Sequence, residues 1–221
     1  LTDGQGLLLK TEAGMAMSVS GTFETSNELP VTISGTFGAV INTTGQPVDE
    51  TFIVGEQVER LEIPEGNVVR LEGHNVTLVV GSQSLSGNVI FEQVDSNENS
   101  VVRVGLSEVA LSLGNGTNDY VTVSNGTGAL VLADKLFAGD LSGDVALNVP
   151  GIDFSGQFAV EIRSNSSAGE REEIILIPGT ADPVTLRVPA MTQIVKVTGT
   201  NVELEIAGQT LSGNFFFERV A

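Results

Sequence analysis

The sequence predicts an all-β fold built from two tandem repeats of about 126 residues, and three observations carry that prediction. Residues 75–94 read NVTLVVGSQSLSGNVIFEQV and recur as residues 201–220, NVELEIAGQTLSGNFFFERV, at a spacing of 126 with no gap. Extended back to Val68 and Ile194, the match covers 27 positions, 13 of them identical, and so long a repeat sets the architecture before any other reading. The apolar residues, mostly Val, Leu and Ile, come in short runs alternating with period two, and 26 Gly punctuate them. Half-buried strands joined by tight turns need that pattern. Long amphipathic helical patterns are missing, and no run approaches the roughly 18 apolar residues of a membrane span.

Taken in order, the chain states its repeat several times. LTDGQGLLL at the start resembles SNGTGALVL (124–132), VSGTF (19–23) matches LSGDV (141–145), and ISGTF (33–37) matches FSGQF (154–158). A variable middle follows, 42–57 in the first copy and 163–183 in the second, after which the offset settles at 126. The units expected are therefore 1–94 and 95–221. The second has a front end, 95–123, that the first lacks, so the first unit reads as N-terminally clipped. With Leu1 in place of Met, the chain reads as processed or as a piece of something longer. Each unit is expected to be a meander of seven or eight bent antiparallel strands, closed into an elongated β-sandwich or β-roll, with a β-solenoid as the alternative.

A shorter strand motif lies beneath the repeat. Val69-Arg70-Leu71 precedes Val76-x-Leu78-x-Val80, Val102-Arg103-Val104 precedes Val109-x-Leu111-x-Leu113, and Val195-Lys196-Val197 precedes Val202-x-Leu204-x-Ile206. The apolar phase slips by one residue between the two halves of each. A hairpin with a two-residue loop at Gly199-Thr200, repeated at Gly73-His74, explains the slip and sets Val197 opposite Val202 and Lys196 opposite Glu203. A bulge within one continuous strand is the alternative, and it fits Val104–Val109 better. Six Ser-Gly tags (at Gly21, Gly35, Gly87, Gly143, Gly156 and Gly213) are each followed two places on by Phe or Val. Such glycines mark bulges, bends or close backbone approach. Val149-Pro150-Gly151-Ile152 reads as a tight turn, with Leu29-Pro30-Val31 in the corresponding place of the first copy.

Composition excludes several functions. A net charge of −18, shared by both copies, repels phosphate backbones and anionic lipid heads, so neither nucleic acid binding nor direct membrane insertion is expected. The same surface attracts divalent cations such as Ca²⁺. Without Cys there are no disulfides, no thiol catalysis and no Cys-based zinc site. His74 is the only histidine and reads as a turn residue, with no nucleophile-elbow sequence beside it.

The phrases GQTLSGNFFFERV, VKVTGTNVELEIAG and SNGTGALVL resemble the tandem β-rich modules of very large bacterial extracellular or surface proteins, adhesin-like chains of many near-identical units. That resemblance implies secretion, an extracellular or cell-surface place, and a structural or adhesive task. It brings no catalytic residues.

Among candidate sites, GNGTNDYV (114–121) resembles one turn of a calcium-binding glycine-rich repeat, with Asn115, Asn118 and Asp119 as oxygen donors for Ca²⁺. The competing reading is a polar loop. Asp140 and Asp144 flank a bend and form a possible carboxylate pair, or are solvated loop residues. Sugar-active enzymes need two facing acids and commonly aromatic platforms, whereas this chain has no Trp and one Tyr. Of the Phe215-Phe216-Phe217 run, the outer two are expected in the core and Phe216 at an interface. Sequons stand at Asn42, Asn75, Asn115, Asn125 and Asn165.

The expected function is thus non-enzymatic: a structural or adhesive module that assembles head-to-tail with neighbouring units or copies of itself. A ligand-binding module with an apolar groove for lipid or surface glycan is the alternative, and a polysaccharide-active enzyme ranks third. The front end 95–123 is expected to cover the strand edge near Val94, leaving a similar edge open near Val220.

Overall fold

A computed structural model describes residues 2–25, 31–95 and 100–220. In chain order its strands are β1 (Thr2–Lys10), β2 (Met15–Glu24), β3 (Val31–Asn42), β4 (Val48–Val54), β5 (Gln57–Ile63), β6 (Asn67–Val80), β7 (Gln83–Asp95) and β8 (Ser100–Gly114). There follow β9 (Asp119–Ala133), β10 (Leu136–Val149), β11 (Ile152–Asn165), β12 (Arg171–Ile175), β13 (Val184–Val188), β14 (Thr192–Ile206) and β15 (Gln209–Val220). The described residues contain no helix, and the all-β expectation holds.

Eleven strands form one antiparallel sheet in the order β1-β2-β3-β6-β7-β8-β9-β10-β11-β14-β15, open at β1 and β15. They neither divide into two facing sheets nor coil into solenoid turns. Apart from β3–β6 and β11–β14, which are joined through the two arms described below, neighbours in the sheet are also neighbours in the chain, which favours a succession of antiparallel pairs over crossing between layers. The two-residue turn at Pro150-Gly151 is one such connection: Val149 pairs with Ile152, and Gly151 takes φ 83°, which suits glycine. Its counterpart at Leu29-Pro30 lies outside the described residues.

Two two-stranded arms, β4-β5 and β12-β13, interrupt the meander after β3 and β11. They supply the only second layer among the described residues. The second arm buries Ile175, Ile177, Leu186 and Val188 against Val101, Ala129, Val131, Leu136 and Ala138 of β8, β9 and β10. The first arm packs Val48, Leu61 and Ile63 on Ala16, with Leu7, Leu9, Val40 and Phe52 around them. The succession β1-β2-β3-arm-β6-β7 recurs in kind as β9-β10-β11-arm-β14-β15, with β8 between the two.

The slip in apolar phase comes from bulges, which corrects the hairpin expectation. β6 and β14 run on through Gly73-His74 and Gly199-Thr200, so His74 lies within a strand opposite Thr36 and not in a turn. Val197 therefore faces Phe217, Val202 faces Gly213, and Lys196 faces Glu161 and Glu218. The physical reason is the neighbours. A strand with long partners on both sides would lose ladder bonds on each if it folded back midway, whereas one residue at positive φ shifts the phase and keeps them. Asn75 (φ 50°), Glu108 (φ 52°), Asn125 (φ 53°) and Asn201 (φ 51°) are those residues. Asparagine bears the left-handed conformation better than most side chains.

The Ser-Gly tags face these bulges. A Cβ on Gly35 would lie 3.0 Å from Val76 Cα, one on Gly87 3.0 Å from Val109 Cα, and one on Gly156 3.1 Å from Val202 Cα. Gly87 also has φ 150°, a conformation L side chains rarely adopt. Its twin Gly213, on the open strand β15, has nothing within 4 Å. We expect Gly87→Ala to cost roughly 1–2 kcal/mol, and Gly213→Ala to be close to neutral. The denaturant midpoints of the two variants check this, and equal losses would refute it.

Candidate functional site

The most distinctive pair of features is the β7–β8 seam and its unpaired twin, the β15 edge. β7 pairs with β8 along its length, from Ser84 opposite Ser112 to Asp95 opposite Ser100. This is where the sequence placed the cover for Val94, which faces Val101. β15 pairs with β14 on one side and ends the sheet on the other, and all of its residues are exposed.

Charged groups join the seam to the arm above it. Glu92 of β7 is buried and accepts from Arg70 Nη2 of β6 at 2.6 Å and from Arg103 Nη1 of β8 at 3.0 Å. Arg103 Nη2 donates onward to Glu173 Oε2 of β12 at 2.9 Å, and Arg171 lies 3.5 Å from the other oxygen of Glu173. Burial works against the charge on Arg103, yet its hydrogen bonds to Glu173 and Glu92 outweigh that and hold the guanidinium above its ordinary value. Removing one member would leave the others charged and desolvated, so the network ties β8 to β7 and to the second arm. Four residues back along β7, Asn88 Oδ1 accepts the Asn75 N–H at 2.7 Å, while its Nδ2 donates to Ser107 Oγ at 3.2 Å and Glu108 Oε2 at 3.0 Å. Ser107 in turn donates to the Pro178 carbonyl of the second arm at 2.8 Å.

The same residues on β15 are half equipped. Asn214 Oδ1 accepts the Asn201 N–H at 2.8 Å, as Asn88 does from Asn75. Neither Glu218, the twin of Glu92, nor the Asn214 Nδ2 has a hydrogen-bonding or ionic partner among the described residues. Ile90 is 8% exposed under its neighbours, whereas its twin Phe216 is 58% exposed. Phe215 and Phe217 are exposed too, which corrects their assignment to the core: among the described residues no strand and no arm covers the outer side of β15. Phe215 keeps one aromatic neighbour, Phe158, at 5.8 Å between centroids, and Lys196 Nζ stands 5.6 Å from the Phe216 ring.

The residues singled out for calcium, Asn115, Asn118 and Asp119, meet in the turn between β8 and β9. Asn115 Oδ1 accepts the N–H groups of Thr117 and Asn118 at 3.0 and 2.9 Å, and its Nδ2 donates to the Tyr120 hydroxyl at 2.7 Å. Asp119 Oδ1 accepts from Ser112 Oγ. The side-chain oxygen of Asn115 is thus occupied in closing the turn. No group of three or more His, Cys, Asp or Glu is placed to hold a metal ion among the described residues.

Asp140 and Asp144 do not form a pair. Asp140 is bidentate with Arg163, at 2.8 Å to Nη1 and 2.9 Å to Nη2, and Asp144 accepts from Asn125 Nδ2 at 2.6 Å. His74 Nε2 lies 3.5 Å from Glu72. A cleft of about 370 Å³ between the second arm and the sheet is lined by Leu141, Val160, Ile177 and Val184 with Asp140, Glu161 and Lys196 at its rim.

Sequence reasoning missed the role of two sequons. Asn42 and Asn165 are fully buried at the roots of the two arms. Asn42 Nδ2 donates to the carbonyls of Gln46 and Pro64, and Asn165 Nδ2 to those of Gly169, Val188 and Pro189. Each side-chain oxygen accepts from the residue two places on, Thr44 or Ser167. Each Asn therefore clips the entry and exit of its arm, and a glycan on either Nδ2 is incompatible with the folded arm. The legible signal was the pairing itself: both triplets stand where the variable middle begins. Compared with family models, curated proteins and solved structures, the chain matches none.

Proposed function

We propose that this chain is a non-enzymatic structural or adhesive module of a long extracellular or cell-surface protein, bacterial in origin, made of two tandem units at 1–94 and 95–221. Its units continue one another's sheet head-to-tail. One observation carries the reading: β7 and β15 are near-copies in sequence, yet β7 is paired on both sides and β15 ends the sheet. An exposed edge with apolar side chains and no charged or proline guard at its centre, Phe215-Phe216-Phe217, is a surface for strand pairing. The three Asp side chains singled out for chemistry serve an ion pair (Asp140), a turn (Asp119) and a bulge (Asp144), which agrees with a structural task.

Light scattering over a concentration series tests the proposal. The expected result is a mass that rises reversibly with concentration and falls back to the monomer on Phe216→Lys, a charge at the middle of the edge. A monomer at every concentration would overturn head-to-tail assembly.

A further inference from the structure

We propose that the sheet edge at β15 and the edge at β1 are the two sides of a slot for one antiparallel strand, and that the strand is recognised by an arginine held between Glu218 and Glu50. The inference rests on the assembly reading above and names what fills the junction.

Strand direction comes first. Every neighbouring pair in the eleven-stranded sheet is antiparallel, so β1 and β15 run the same way. A second copy placed head-to-tail would therefore meet β15 with a parallel strand. Antiparallel pairing is the slightly more stable arrangement per residue, and every ladder here uses it. One inserted strand restores it. Inside the chain that position is filled: β8 lies between β7, the twin of β15, and β9, which resembles β1.

Charge identifies the occupant. In the filled position Arg103 is clamped by Glu92 of β7 and Glu173 of β12. The twin of Glu92 is Glu218, on β15. The counterpart of Glu173 is read from the register of the arms. Glu173 pairs with Leu186 and Glu50 with Leu61; both leucines are fully buried, and both glutamates sit two residues after the first residue of their strand. Glu50 thus shares the sheet-facing side of β4 with Val48 and Phe52, yet it is exposed, while Glu173 is buried. Neither Glu218 nor Glu50 makes an ion pair among the described residues. With one strand inserted between β15 of one copy and β1 of the next, these two carboxylates would stand on either side of it, as Glu92 and Glu173 stand about Arg103, and would supply the acceptors of a bidentate arginine site.

Exposed apolar residues mark both walls of the slot. Leu8 on β1, Ile53 and Val58 at the tip of the first arm, and Leu211 on β15 all face solvent. The corresponding part of the second arm covers β8, whose Gly105 lies against Leu176. The ligand is therefore an extended peptide segment of the β8 type. It alternates apolar residues with one arginine and presents a Ser-Glu bulge four residues later to the free Asn214 Nδ2.

The test uses the whole chain and a fluorescently labelled peptide of residues 100–114, SVVRVGLSEVALSLG, read by anisotropy, with mass followed by light scattering. We expect the peptide to bind and to promote association of the chain. Arg103→Ala in the peptide should weaken binding about tenfold. The Glu50→Gln/Glu218→Gln chain should bind the unaltered peptide about tenfold less well, and the arginine-free peptide no worse than that. Both glutamates are exposed, so the fold is not at risk. No binding, or an arginine effect of the same size in the glutamine chain, would overturn the slot. Association without peptide reports on the assembly reading separately: it survives a failed slot if the chain alone still assembles, and fails alone if the peptide binds an otherwise unassociating monomer.

Discussion

Replacing Asn165 with alanine is expected to destabilise the protein by about 3 kcal/mol or more, the largest loss from any single polar side chain in the second arm. The side chain is buried and makes bonds in both senses. Its Nδ2 satisfies the carbonyls of Gly169, Val188 and Pro189 at 3.0–3.2 Å, and its Oδ1 accepts the Ser167 N–H at 3.0 Å. Alanine strands several backbone groups away from water at roughly 1–3 kcal/mol each, and few of them can find a new partner where the arm leaves the sheet. Asn165→Asp is the sharper probe, because the carboxylate keeps the shape and the acceptor but offers no donor to the three carbonyls. We expect it to be at least as damaging. The denaturant midpoint measures the loss, and faster amide exchange in β12 and β13 would place it at the arm. An aspartate variant of full stability would refute the clip.

Gly105→Ala is expected to lift the second arm from the sheet, at a cost of about 3 kcal/mol. A Cβ on this glycine would land on the Leu176 carbonyl oxygen, with Ile177 Cα only 3.3 Å away. The obstruction is backbone, so no rotamer change relieves it, and the arm or β8 must move. Moving the arm uncovers Ile175, Ile177, Leu186 and Val188, which form the larger of the two described cores with β8, β9 and β10. At this chain length the loss corresponds to a fall in Tm of roughly 6–12 °C. The first arm, which covers no β8-type strand, should keep its amide protection. A thermal midpoint unchanged from the parent chain would show that β8 and the arm are not in contact.

Local chemistry was the easiest part to read from the chain. Pro150-Gly151 prescribes its turn by a fixed φ and a tolerated positive φ, and the alternation of Val, Leu and Ile prescribes strands whatever packs on them. The bulges were half legible. The phase slip showed that something happens at Gly73–Val76, but a hairpin and a bulge present the same residues in the same order. Only the long strands on both sides exclude the hairpin, and those contacts are not written in the segment itself. The role of Asn42 and Asn165 was only half legible for the same reason: their matching places in the two copies showed that they correspond, not what they do. An Asn-x-Ser/Thr triplet reads alike on a surface loop and at a buried arm root, and burial decides between them.

The sequence by itself determined the strand character, the two-fold recurrence of the pattern, the acidic surface and the kinship of β7 with β15. These follow from residue type and spacing, which survive any arrangement of the strands. Tertiary structure alone decided that the strands lie in one open sheet and that the arms fold back to make the cores. It also decided that twin strands have unlike surroundings. LSGNVIFEQV and LSGNFFFERV carry nearly the same instructions, yet Ile90 is buried and Phe216 exposed, because a residue's burial depends on the strand beside it and the arm above it.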